Sequence, residues 1–429
     1  SLDLFLHADW TGSASFPQSS FGDYEQIAFG GRLDYQISPF SSWTFLGNYK
    51  SDSLVDYMFG ENLQVHDEGS MDLRYERFLG SGKDMMARVF RRWDRMGYGF
   101  SDHRSQSRGM EVQLNLDAGS HQLVVGGNLA YAEVESTDLP DPKPSREWAL
   151  YGQDIYSLQE NFDLVLGTRL DSFSRFGVAL SPRLGGVFRL NDETSIHFSV
   201  AKAFRAPTFN ELYYKSQGSY NEGTYKYKWD DSGNPNLDPE RAWGYEVGLR
   251  HGSVEDSLSL ALFQRDVKDL ISWVYSQEEY REDGKQVILY KTRVQNTSQA
   301  RIRGGEVEWT KTSASGSEAK LGYTYLDAVD MDTHWPLAHI PRHQGWLSLA
   351  GRIAEGTSMQ WQTVFVDKRP TGMGDLAPYA VMDVTLGQEI NDQLEVNLQI
   401  ENLLDEKYEE QFSYPAPPRS YILGLKYSF

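Results

Sequence analysis

The feature that most limits how this chain can fold is a period of two that recurs from end to end. In "LEVNLQI" Leu394, Val396, Leu398 and Ile400 alternate with Glu395, Asn397 and Gln399. "SLSLALF" sets Leu258, Leu260 and Leu262 against Ser257, Ser259 and Ala261, and "WGYEVGLRH" sets Tyr245, Val247 and Leu249 against Glu246, Gly248 and Arg250. Side chains of a strand alternate between its two faces, so each segment has one apolar face and one small or polar face. A soluble sandwich would pack the apolar faces together. A transmembrane barrel turns them to lipid and keeps a wet lumen.

Connection length separates the two. Short turns at 38–41, 80–83, 117–120, 159–162, 190–193, 251–256, 312–317, 354–357 and 390–393 alternate with long polar stretches at 11–22, 50–68, 134–145, 206–238, 327–342, 366–378 and 403–418. Outer-membrane barrels have short periplasmic turns and long extracellular loops. The expectation is therefore an all-β, antiparallel transmembrane β-barrel of about 20 strands, occupying residues 1–429 as a single domain. Mean hydropathy is −0.54 and no run approaches a membrane-spanning helix, which a barrel does not need. Aromatic residues make up 13%, as interfacial girdles require. A net charge of −20 argues against nucleic acid as a partner. With no cysteine there is neither a disulfide nor a thiolate metal site.

Several segments stand out as candidate sites. The terminal strand puts Tyr421, Leu423, Leu425, Tyr427 and Phe429 on one face. A closed wall would pair this strand with the first, removing both edges. Its alternation and final aromatic also read as a signal to the barrel-insertion machinery. "DMMARVFRRWDRMGYGF" (84–100) is the one basic strand in an acidic chain. Rising from the turn at 80–83, it would face lipid with Met85, Ala87 and Val89 and then bring Arg91, Trp93 and Arg95 to the outer interface, either against outer-membrane lipid or lipopolysaccharide or simply snorkelling to water. Arg88, Arg92 and Asp94 would face the lumen. The stretch 50–72 gathers Asp52, Asp56, Glu61, Asp67, Glu68 and Asp72, oxygen donors of the kind calcium takes, although acidic loops are commonly just solvated. In "HWPLAHIPRH" the spacing of His334, His339 and His343 reads as structural rather than metal-binding. The Tyr-rich stretch 213–229 offers Tyr213, Tyr214, Tyr220, Tyr225, Tyr227 and Trp229 either as a surface for a bulky ligand or as loop-tip packing onto the barrel rim. No Gly-x-Ser-x-Gly, His-Glu-x-x-His or phosphate-cradling loop is present, so the sequence is read as non-enzymatic.

Five segments in order then resemble TonB-dependent outer-membrane receptors of the cobalamin and siderophore type: "AKAFRAPTFNELYY" (201–214), "NPNLDPERAWGYEVGL" (234–249), "VQNTSQARIRGGEVEW" (294–309) with Asn296, Gly304 and Glu306, "LAHIPRH" (337–343) and "ENLLDEKYEE" (401–410). The resemblance implies a 22-stranded barrel integral to the bacterial outer membrane, whose loops capture a small-molecule metal chelate and whose lumen holds a plug. No plug-like segment is matched within these residues. The leading expectation is thus a receptor and transporter barrel for cobalamin or iron–siderophore complexes. The alternative is a plugless barrel acting as a passive pore, or as a sleeve around a separate plug or other protein partner.

Overall fold

The computed structural model describes residues 1–13, 21–56, 62–99, 101–139, 141–372 and 374–428. Nearly all of the chain is strand. The first seven strands run as an antiparallel meander: β1 (Leu2–Ser13), β2 (Phe21–Ser38), β3 (Ser41–Asp56), β4 (Asn62–Gly80), β5 (Lys83–Tyr98), β6 (Ser101–Ala118) and β7 (His121–Ser136). Next come β8 (Lys143–Gln159), β9 (Phe162–Phe173), β10 (Gly177–Asn191) and β11 (Thr194–Arg205). A short helix α1 (Phe209–Tyr213) and the hairpin β12 (Lys215–Glu222) and β13 (Tyr225–Ser232) interrupt the meander, so that β11 pairs instead with β14 (Glu240–Gly252). β15 (Asp256–Glu282) and β16 (Lys285–Thr312) follow, and the wall continues through antiparallel neighbours to a last strand, Ser420–Tyr427. The main sheet has 22 strands, two of which are β12 and β13 outside the wall, so the wall itself holds the 20 expected.

Register assigns every wall residue a face. On one side of β4 to β7, Leu73, Val89, Met110 and Leu129 stand opposite one another, and Val89, Met110 and Leu129 are about half exposed. This is the lipid face. On the other face Arg88 pairs with Asp72 and reaches Glu111 at 3.8 Å, while the Tyr151 hydroxyl donates to Glu111 at 2.9 Å. Polar groups of this kind line a lumen. Asp72 Oδ1 and Arg74 Nε there are buried without a hydrogen-bond partner.

Two expectations change. The terminal strand pairs only with Leu394–Glu401 and β1 only with β2; among the described residues no ladder joins the last strand to β1. Tyr421, Leu423, Leu425 and Tyr427 do share one exposed face, and Phe429 lies outside the described residues. Second, much of the stretch 50–72 is not a loop. β3 and β4 continue in register to Asp56↔Asn62, because polar residues hold a ladder as well as apolar ones once the strands have risen beyond the lipid.

Candidate functional site

The wall strands β15 and β16 have 27 and 28 residues, far more than the nine to eleven or so that span a bilayer. Their upper halves leave the wall at a bulge, where Asp269 adopts a left-handed conformation (φ 60°) and the register shifts between Val267 and Ile271. Beyond it β13 adds in parallel to β16, from Tyr225↔Gln286 to Ser232↔Arg293, and β12 pairs with β13. The long loop thus becomes a four-stranded sheet, an arm standing on the extracellular rim.

The base of the arm is a small apolar core. Leu212, Leu237, Ile271 and Val294 are buried together, with Tyr213 packed against them. Thr208 caps α1: its hydroxyl accepts from Glu211 N–H at 3.1 Å, and the Glu211 carboxylate accepts from Thr208 N–H at 2.7 Å. Arg205 donates to Glu211 at 3.0 Å and to Glu240 at 2.6 Å, and Glu240 also accepts from Ile271 N–H at 2.9 Å. Burial pulls the Glu211 carboxyl upward, but the bonds from Arg205 and Thr208 outweigh it and hold it below the ordinary glutamate range. Gly233 closes the return: a Cβ there would lie 2.7 Å from backbone atoms of Leu212 and Tyr213. Asn296 donates to Asp238 O at 2.9 Å and Asp269 O at 2.7 Å and accepts from Asp238 N–H at 2.9 Å. The family-like residues Asn296, Leu237 and Glu240 are therefore what fastens the arm to the wall.

Above this base the arm is two-faced. One face carries Tyr220, Tyr225, Tyr227 and Trp229 with Tyr275 and Tyr290. Tyr220 and Tyr227 stack at 5.0 Å, Tyr225 and Tyr227 at 6.2 Å, and Tyr275 and Tyr290 at 6.0 Å. Trp229 lies flat on β12 because position 218 is glycine; a Cβ there would be 2.0 Å from the indole. Tyr220, Tyr225, Trp229 and Tyr275 are exposed. The opposite face is held by ion pairs: Glu282 with Lys226 at 2.9 Å and Lys228 at 2.7 Å, Lys291 with Glu278 at 2.6 Å, and Arg293 with Asp230.

The six aromatic candidates therefore divide. Tyr213 and Tyr214 sit at the base, where Tyr213 joins the core and Tyr214 meets Trp273 edge-on at 5.6 Å. The other four share the exposed face with Tyr275 and Tyr290, which sequence reasoning missed. Their signal was available in the β15–β16 hairpin, "SWVYSQEEY" and "VILYKT", had its register been known.

The acidic candidates divide as well. Asp52 and Glu68 face the lumen side, where Lys50 lies 2.9 Å from Asp52 and 4.0 Å from Glu68, and His66 bridges Asp52 at 3.3 Å and Asp94 at 2.7 Å. Asp67 points the other way and accepts from Tyr49 and Ser51. Asp56 ends β3, and Glu61 lies outside the described residues. The described carboxylates nearest one another are thus already partnered by Lys50 and His66; the sequence placed Asp94 on the lumenal side of the basic strand but did not single out His66. His343 contacts the Tyr323 hydroxyl at 2.7 Å, while His334 and His339 occupy left-handed turn positions. Arg91, Trp93 and Arg95 share the lipid-facing side of β5, and Arg88, Arg92 and Asp94 the lumenal side.

A profile of the family described as "TonB dependent receptor-like, beta-barrel" matches residues 2–403. The vitamin B12 transporter BtuB of Photobacterium profundum is 25% identical over 323 residues, covering 72% of this chain and 48% of that protein. An iron-regulated outer membrane virulence protein of Vibrio cholerae is 26% identical over 297 residues, covering 66% of this chain and 44% of that protein. The chain spans about half the length of these curated relatives. Among solved structures, the siderophore receptor PirA from Pseudomonas aeruginosa superposes with a TM-score of 0.75 at 18% identity, over 95% of this chain and 71% of its own. The copper transporter OprC does so at 0.81 and 14% identity, over 99% and 78%. At those identities the structural likeness speaks to the fold.

Proposed function

The chain belongs to the TonB-dependent receptor-like β-barrel family, whose members are integral to the outer membrane, and from that premise we propose that it is the wall and capture surface of a receptor for a small metal chelate. The observation that carries this reading is the exposed aromatic face of the arm. Rings stacked on a rigid sheet desolvate and hold a bulky, flat-faced ligand, each good stack contributing about 0.5–1.5 kcal/mol. Relatives named for vitamin B12 and for siderophores both handle a metal enclosed in a large organic ligand, and the reading extends to that class. The family's transporters and receptors give no reason to assign catalysis.

In the receptor reading the lumen holds a movable plug, as the family resemblance implies. The polar lumenal surface of Asp72, Arg88 and Glu111 supports such a contact. The test is growth of a receptor-deficient host expressing the full-length gene, with iron chelates or cobalamin as sole source, alongside binding to the purified protein. Combined Tyr227→Ala and Trp229→Ala should weaken binding about tenfold or more, at about 1.4 kcal/mol per decade. Normal uptake and affinity after loss of both rings would overturn the arm's role. A large steady conductance of the full-length protein in planar bilayers would favour a passive pore instead.

A further inference from the structure

The lipid-facing side of β5 and β6 carries a cluster that capture does not use. Arg91 stands directly opposite Arg108, and two steps higher Arg95 stands opposite Arg104. Like charges directly opposed on neighbouring strands destabilise a sheet. The upper pair is relieved by Asp102, 3.2 Å from Arg95 and 2.9 Å from Arg104. The lower pair has no such relief. Among the described residues Arg91 and Arg108 have no carboxylate partner, and Arg108 only lies over the Tyr131 ring at 5.3 Å. Both arginines are exposed, in a chain of net charge −20.

Their depth fits a headgroup. From Leu116, near the periplasmic turn, to Arg108 is eight residues of strand. That is roughly 27 Å along the strand, or about 20 Å along the axis at a tilt near 40°, close to the height of a barrel's apolar band. Beside the arginines is a hollow of about 820 Å³ whose walls include Leu6, Phe29, Phe45, Tyr49, Met71 and Trp93, with Gly47 leaving its floor open. Met71 is the register partner of Arg91, and Trp93 lies over Gly69, where a Cβ would come within 2.1 Å of the indole. The apolar hollow and the unpaired guanidinium pair are therefore contiguous.

We infer that the outer face of β1 to β6 is a binding site for a phosphorylated lipid of the outer leaflet, its phosphate forked between Arg91 and Arg108 and an acyl chain in the adjoining hollow. Guanidinium groups suit phosphate because they donate two parallel hydrogen bonds, and a phosphate between them converts repulsion into attraction. Arg95 and Arg104, held by Asp102, form the rim, and Trp93 sits at the level where an indole spans apolar and polar layers.

The test uses the full-length protein in nanodiscs of zwitterionic phospholipid doped with bis-phosphorylated lipid A, read by native mass spectrometry. Wild type should retain lipid A, and Arg91→Glu with Arg108→Glu should lower retention at least fivefold. Arg91→Lys with Arg108→Lys should keep most of it. Met71→Trp, which fills the hollow, should reduce retention with the arginines intact. Retention in each variant is scored only on the heat-modifiable, folded fraction, and single Arg108→Gln serves if the double variant does not assemble. Equal retention in wild type and charge-reversed protein, or equal retention of dephosphorylated lipid A, would overturn the site. Binding of inorganic phosphate alone with the same affinity would also overturn it, because the hollow would then contribute nothing.

Discussion

Leu212→Ala tests whether the arm is held by its small core. Leu212 is 2% exposed and packs with Leu237 (4%), Ile271 (8%) and Val294 (1%). Leucine-to-alanine changes at such sites cost about 2–5 kcal/mol, from lost transfer energy plus the cavity left behind. Taking about 3 kcal/mol, local opening of the base should become more frequent by roughly two decades. Three hydrogen bonds report that opening: Gly233 N–H to Tyr214 O at 2.8 Å, Asn234 N–H to Glu211 O at 2.8 Å and Tyr214 N–H to Asn210 O at 3.0 Å. Amide hydrogen exchange on the full-length protein in detergent should show these amides exchanging about a hundredfold faster, while wall amides of β9 and β10 keep wild-type rates. Two results would refute the reasoning. Unchanged exchange at Gly233 and Asn234 would mean that the ion pairs and ladders alone hold the arm. Uniform acceleration through the wall would mean that the cluster belongs to the barrel's global stability.

The remaining expectations concern the same scaffold and the chain's end. Glu211 titrates below the ordinary glutamate value of 4.5, so its contribution to arm docking is present above that value and is lost as pH falls through the depressed one. Proteolysis of the arm should accelerate in that acid range, and Glu211→Gln should flatten the dependence. Asn296→Ala removes all three of its bonds and leaves Asp238 and Asp269 backbone groups unpaired, which should cost about 2–3 kcal/mol at the bulge; protease nicking near Asp269 measures it. Phe429→Ser should lower the heat-modifiable fraction recovered from outer membranes if the terminal aromatic is read during insertion. An undiminished fraction would limit that role to Tyr421, Leu423, Leu425 and Tyr427.

What could be read from the sequence followed from where lipid forces a side chain to be apolar. Leu258, Leu260 and Leu262, or Leu423 and Leu425, alternate visibly because one face meets hydrocarbon, and the strand number came from those segments and the short turns between them. Above the membrane that contrast disappears. Asp52, His66 and Glu68 lie on well-formed strands, but polar residues alternate there with polar residues, so the pattern reads as loop. The basic strand was legible on β5, where Arg91, Trp93 and Arg95 stand out against Met85, Ala87 and Val89. Its partners Arg104 and Arg108 were not, because "SDHRSQSRGMEV" has no apolar reference before Met110. Tyr275 and Tyr290 join the other aromatics only through the parallel pairing of β13 with β16, a non-local contact that no local pattern encodes.

The left-handed residue Asp269 has a mechanical side. About 13 residues of β15 lie beyond it, so the arm reaches roughly 43 Å from a base held also by the Leu212 core and the Arg205 ion pairs. A rotation of about 10° there sweeps the tip by about 7 Å. Because the arm is already sheet, such a swing repositions six aromatic rings as one body and costs none of the ordering entropy that an irregular loop would lose on closing over its ligand. Asn296, bonded to Asp269 and Asp238 together, is then the friction in the joint: it sets how stiffly the platform stands, while the rings decide what the platform holds.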